Sequence, residues 1–278
     1  MSAVRRAGAL HQRGRKAVYA YNFARARALL GDALSVLDTA PDAPDVLDQR
    51  VRTLVTLAYV DTEGGSAAEG FARLDEADAI LGGLPLGPHR TELDGLSREQ
   101  RGFLHIRAGN AEHGLELLDD AARQLRAGLD DGVGDPYVLA SLYLNRSLAE
   151  IDLAHTSAAI TELTTCVEFS ERHGLADIAI KARHNLGWVA HMTGDIPTAL
   201  RLFDEAGRGY RSTAPGVLPV LLLDQARSLL AGGLVVEAAR HLDEALPRLR
   251  RQRVGQDAAE AEIARAAAAL LDGDAAQA

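Results

Sequence analysis

The sequence predicts an all-α protein made of stacked antiparallel helical hairpins, an α-solenoid of about six to seven hairpins spanning residues 1–278. Three observations predict it: a recurring register of small residues, a turn signature between paired helical stretches, and an apolar content dominated by alanine and leucine. The 50 alanines favour helices that pack closely, because alanine has the best helix propensity and lets backbones approach. Aromatics make up only 4% of the chain, and few stretches alternate in the manner of a strand.

The register is set by a small residue at Ala26, Gly70, Gly114, Ala159, Ala199, Ala238 and Ala278, spaced 44, 44, 45, 40, 39 and 40 residues apart. Four residues after the first six stand Leu30, Leu74, Leu118, Leu163, Phe203 and Leu242, and seven after stand Ala33, Ala77, Ala121, Cys166, Ala206 and Ala245. Offsets of 0, +4 and +7 fall on one stripe of a helix. Twelve residues before each reference position stand Gly14, Ala58, Gly102, Ser147, Gly187, Ala226 and Ala266, on the preceding helix where two antiparallel helices must nearly touch. Every −12 residue is therefore expected to be buried.

Repeat by repeat, the hairpins fall at about 2–40, 45–82, 90–128, 135–173, 175–211, 217–252 and, incompletely, 256–278. Their turns are Tyr21-Asn22, Gly65-Ser66, Gly109-Asn110, Ala154-His155, Gly194-Asp195, Gly233-Leu234 and Gly273-Asp274. In the typical ones glycine ends the first helix in a left-handed conformation and Ser, Asn or Asp caps the second. Pro197 fits the first turn of its helix, where its missing N–H would be unpaired anyway. Polar or Pro/Gly-rich linkers separate the repeats at Ala40–Asp45, Gly82–His89, Gly128–Pro136 and Ser212–Pro219. No boundary divides the array, and residues 1–278 read as one domain. Ala278 sits on the reference column, so the seventh repeat stops early. The expectation is an excised fragment or truncated product, mobile beyond about residue 255, with Ala264 and Ala266–Ala269 lacking a mate.

The fifth repeat, with Leu186-Gly187, Ala190, Gly194-Asp195, Ala199, Phe203 and Ala206, resembles the tetratricopeptide repeat (TPR) family. That resemblance implies a right-handed solenoid whose first helices line a concave, protein-binding groove. The longer period of the first repeats implies longer helices or linkers than usual. A narrower resemblance, carried by Lys181-Ala182-Arg183-His184-Asn185-Leu186-Gly187, is to the N-terminal arrays of actinobacterial CHAT-domain proteins. It implies a sensing or scaffolding module that regulates a caspase-like peptidase domain. The catalytic His–Cys pair of that family has no counterpart here.

Candidate chemistry is sparse. Cys166 occupies a column held elsewhere by alanine and is expected to be a packing residue. His155, 11 residues upstream, lies roughly 16 Å away along an unbroken helix, beyond the reach of a catalytic dyad. His184 and His191 share a helix face but lie about 10 Å apart along the axis, too far to share a zinc ion. Arg248, Arg250, Arg251 and Arg253 suit a solvated helix end. No nucleotide-binding or metalloprotease motif occurs, and no cofactor or metal is expected. The net charge of −9 argues against nucleic acid as the main ligand. No apolar stretch is long enough for a signal peptide or membrane span, which points to the cytoplasm.

The binding residues come from two columns of the first helices. At −14 stand Gln12, Thr56, Gln100, Asn145, Asn185 and Asp224; at −11 stand Arg15, Tyr59, Phe103, Leu148, Trp188 and Arg227. Amides carry donors and an acceptor, so a ladder of them can pair with an extended peptide backbone whatever its sequence. The alternative is that these side chains only solvate the wall or bond neighbouring helices. The expected peptide site comprises Gln100, Phe103, Asn145, Lys181, His184, Asn185, Trp188 and Arg227. Asn145 and Asn185 would hold the peptide backbone, Trp188 and Phe103 would take side chains, and Arg227 or Lys181 would answer an acidic group. A binding module is the first reading; the regulatory part of a CHAT-type protease and a nucleic-acid-binding array are the rivals.

Overall fold

The computed structural model describes residues 2–252 and 255–273 and is all-α among them. Its helices are α1 (Ala3–Tyr19), α2 (Phe23–Asp38), α3 (Pro44–Glu63), α4 (Ala67–Gly83), α5 (Pro88–Arg107), α6 (Ala111–Asp130), α7 (Pro136–Asp152), α8 (Thr156–Arg172), α9 (Ala176–Met192), α10 (Ile196–Thr213), α11 (Leu218–Ala231), α12 (Val235–Gln252) and α13 (Gly255–Leu271). The chain falls into two compact units, Met1–His173 with α1–α8 and Gly174–Ala278 with α9–α13. The added length of the second and third repeats lies in α3, α5 and α6, each of 20 residues.

Each hairpin closes in the same way. Tyr21, Gly65, Gly109, Ala154, Gly194, Gly233 and Gly273 all have positive φ, and they are the first residues of the seven expected turns. In six of these turns the next backbone N–H donates to the carbonyl five residues back, as Asp195 does to Ala190. This left-handed cap satisfies carbonyls that a helix end would otherwise leave unpaired. Asn22, Ser66 and Asp195 then cap the second helix by accepting from the N–H three residues on.

The small residues set how closely the helices approach. Six of the seven −12 residues are buried, and Ala266 is half-buried. A Cβ placed on Gly102 would lie 2.9 Å from the Gly114 carbonyl oxygen, and one on Gly114 would lie 2.8 Å from that of Gly102. Nothing larger than hydrogen fits where α5 crosses α6. Against these contacts pack Leu30, Leu74, Leu118, Leu163, Phe203 and Leu242, all fully buried.

Within the first unit α1, α3, α5 and α7 lie side by side as one row, with α2, α4, α6 and α8 packed on it. In the second unit α9, α11 and α13 form the corresponding row. The first row is curved, because Tyr19 at the end of α1 touches Tyr137 at the start of α7. The odd-numbered helices are therefore its inner layer.

The end of the chain requires a correction. Ala264 joins Leu223, Leu242 and Leu249 in one core cluster, and Ala268 and Ala269 are also buried, because α13 packs on α11 and α12. Ala266 and Ala267 are half-buried, while Ile263, Leu270 and Leu271 are exposed. Ala278 lies outside the described residues.

Candidate functional site

The odd-numbered helices carry nearly all of the buried polarity among the described residues. Of the 13 buried polar or charged side chains among the described residues, only Ser170 lies on an even-numbered helix. Burying a polar group is costly unless it finds a partner, so these residues mark where the inner layer is chemically specific.

In the first unit His11 sits between α1 and α3. Its Nε2 lies 2.8 Å from Thr56 Oγ1, and its Nδ1 lies 3.1 Å from Gln49 Nε2. Thr56 donates its own proton to the Arg52 carbonyl, so the network assigns the ring proton to Nε2. Burial, with Arg15 and Arg52 nearby, lowers the His11 pKa to about 4. Between α5 and α7, Asn145 Nδ2 donates to Glu99 Oε1 at 2.6 Å. Burial raises the Glu99 pKa to about 7, only partly offset by that bond.

His11, Glu99 and His184 all stand at −15, the position before the amide column. Each bonds the −14 residue of the following repeat: Thr56, Asn145 and, at 2.9 Å, Asp224. Three rungs of the ladder thus join neighbouring inner helices. The signal was a polar residue at −15 in alternate repeats, a position that is Val55 in the second and Leu223 in the sixth. Where Val55 precedes it, the Gln100 Nε2 is buried without a hydrogen-bond partner.

The expected site residues fall in different surroundings. Gln100 and Phe103 are buried, at 8% and 6% exposure, with Phe103 against the Tyr59 ring at 5.5 Å. Neither presents a surface to a ligand in this conformation. Asn145 is half-buried and bonded to Glu99.

In the second unit His184 is buried, its ring reaching Tyr210 Oη at 3.2 Å as well as Asp224. Asn185 is half-buried and makes no side-chain hydrogen bond among the described residues. Trp188, one turn on, is also half-buried. It stacks on His191 at 5.0 Å and lies 5.5 Å beneath the Arg227 guanidinium. His191 Nδ1 lies 3.0 Å from Ser228 Oγ, and burial lowers the His191 pKa. Arg227 donates to Glu260 at 2.5 Å and to Asp224 at 3.4 Å. Its charge is therefore already answered within the protein. Lys181 is half-buried at the start of the same face.

Cys166 is fully buried and lies 3.3 Å from the Ala140 carbonyl; burial raises its thiol to about 12, where it packs rather than reacts. No cluster of three metal-ligating side chains occurs among the described residues. No described helix is long and apolar enough to cross a membrane.

No family model and no curated protein matches the chain. Solved structures do. A STAND ATPase with a tetratricopeptide-repeat sensor from Pyrococcus horikoshii matches with a TM-score of 0.58 and 14% identity over 96% of this chain. The chain spans 39% of the length of that protein. NprR in complex with its cognate peptide NprX matches at TM-score 0.66 and 14% identity, over 97% of this chain and 74% of NprR. A Rap protein in complex with competence and sporulation factor matches at 0.62 and 17%, over 95% and 75%. At these identities the likeness shows a fold: this chain is an all-α, TPR-like helical-repeat protein.

Proposed function

We propose that the chain is a non-catalytic binding module that takes an extended peptide segment of a partner protein on the face of the second unit that α9 presents. The observation that carries the reading is the pair Asn185 and Trp188. One is an α9 amide with no side-chain hydrogen bond among the described residues, and the other is a half-buried aromatic one turn away, held in place by His191 and Arg227. An open amide can pair with a peptide backbone, and a positioned tryptophan gives contact area at little entropic cost. The likeness in fold to NprR, solved with its cognate peptide, and to a Rap protein, solved with competence and sporulation factor, supports a peptide as the ligand. Regulation of a CHAT-type peptidase, in cis or in trans, is the finer reading; it rests on the Lys181–Gly187 resemblance alone.

The test is to recover a partner with the whole chain and then titrate it calorimetrically against variants. Asn185→Ala is expected to cost about 0.5–1.5 kcal/mol per lost hydrogen bond, and Trp188→Ala about 2 kcal/mol or more. Unchanged affinity in the double variant would remove the inner face of the second unit from consideration.

A further inference from the structure

Residues 1–31 carry seven Lys and Arg and no acidic residue, whereas the remainder carries 23 basic and 39 acidic ones. Most of these first cations are exposed, but Arg15 is half-buried on the inner row. On that row Arg52 holds Asp48 and Glu92, Arg107 holds Glu63, and Arg227 holds Asp224 and Glu260. Arg15 has no carboxylate partner among the described residues. Its Nη2 reaches the Tyr19 hydroxyl at 3.4 Å, and its guanidinium lies 4.7 Å from the centre of the Tyr137 ring. The two tyrosines bond each other through their hydroxyls, so the three side chains converge where α1 meets α7. The carboxylate nearest in sequence to Tyr137 is Asp135, which accepts from the Tyr137 backbone N–H at 2.9 Å as the helix cap.

A guanidinium whose partners are a hydroxyl and a ring face keeps N–H donors in hand that a carboxylate can take as charge-assisted hydrogen bonds. We propose that Arg15, with Tyr19 and Tyr137, is a receptor for a carboxylate of a peptide bound to the first unit. The site joins the first and fourth hairpins, so the carboxylate would strengthen the contact that closes the inner face of the first unit. The assignment rests on the reading above that the chain binds peptides but uses residues of the first unit alone. Its failure is therefore distinguishable from a failure at Asn185 and Trp188.

The probe is N-acetyl-triglutamate, with N-acetyl-triglutamine amide as its neutral counterpart, titrated into the full-length chain. The readouts are the Arg15 side-chain Nε–H resonance and the melting temperature. The acidic probe is expected to shift that resonance and raise the melting temperature, and the neutral probe to do neither. Arg15→Gln should weaken binding by about tenfold or more, the loss expected when a charge-assisted hydrogen bond goes. Arg13→Gln, at an exposed cation on the same helix, should change it by less than about twofold. Without the probe, Arg15→Gln should lower the melting temperature only slightly, because it removes one long hydrogen bond to Tyr19 and the contact with the Tyr137 ring. Equal weakening in the two variants would reduce the effect to a diffuse basic field and overturn the site, as would no binding at all.

Discussion

Glu99→Gln tests whether the inner layer holds an uncharged carboxyl at neutral pH. The side chain is 4% exposed, and its bond from Asn145 is one that a glutamine oxygen can accept equally well. Burial moves the Glu99 pKa from 4.5 to about 7. Between those values the folded protein keeps a proton that the unfolded chain has released. The stabilisation from that proton is complete below pH 4.5 and is lost as pH rises through 7. At about 1.36 kcal/mol per pH unit, the loss amounts to roughly 3 kcal/mol. Glutamine does not titrate, so Glu99→Gln should gain on the parent by that amount between pH 4.5 and pH 8 and then level off. His11 titrates in both proteins and cancels in the difference. Urea unfolding followed by circular dichroism at four pH values, with amide exchange on α5 and α7, measures the gain. Parallel stability curves for parent and variant would refute the reasoning, because they would mean that Glu99 ionises as it does in water.

Two further predictions concern the scaffold. A Cβ on Gly187 would lie 2.8 Å from two atoms of the Phe203 ring, so Gly187→Leu should cost about 1–3 kcal/mol or more, read as a drop in melting temperature. Ala154 holds φ at +59°, which costs a non-glycine residue about 1–2 kcal/mol. After the added freedom of glycine in the unfolded chain, Ala154→Gly should still stabilise by about 0.5–1 kcal/mol in the same melts.

The hairpins were legible in the sequence because one column of small residues repeats wherever two helices must touch, and because each turn sits at the same distance from it. Even Tyr21 and Ala154, unusual at such a turn, were placed by spacing rather than by type. The inner-layer bonds were not legible in the same way. His11 meets Thr56 and Glu99 meets Asn145 through the stacking of one repeat on the next, which a single repeat does not encode. The contact between Tyr19 and Tyr137 spans 118 residues and depends on curvature accumulated over four hairpins. The two columns fall on the odd-numbered helices, as their spacing implied, but exposure along a column was not legible. Gln100 and Phe103 share columns with Asn185 and Trp188, and the former pair is buried.

The concentration of buried polarity on the odd-numbered helices has a consequence for how the repeats are ordered. Within a hairpin, alanine, glycine and leucine meet alanine, glycine and leucine, and one such surface would serve for another. Between inner helices the fit is individual: histidine faces threonine at one junction, glutamate faces asparagine at another, and arginine faces glutamate at a third. A hairpin moved to another place in the chain would keep its own fold but face a neighbour that cannot complete its hydrogen bonds. The apolar columns make each repeat interchangeable, and the polar junctions give it an address.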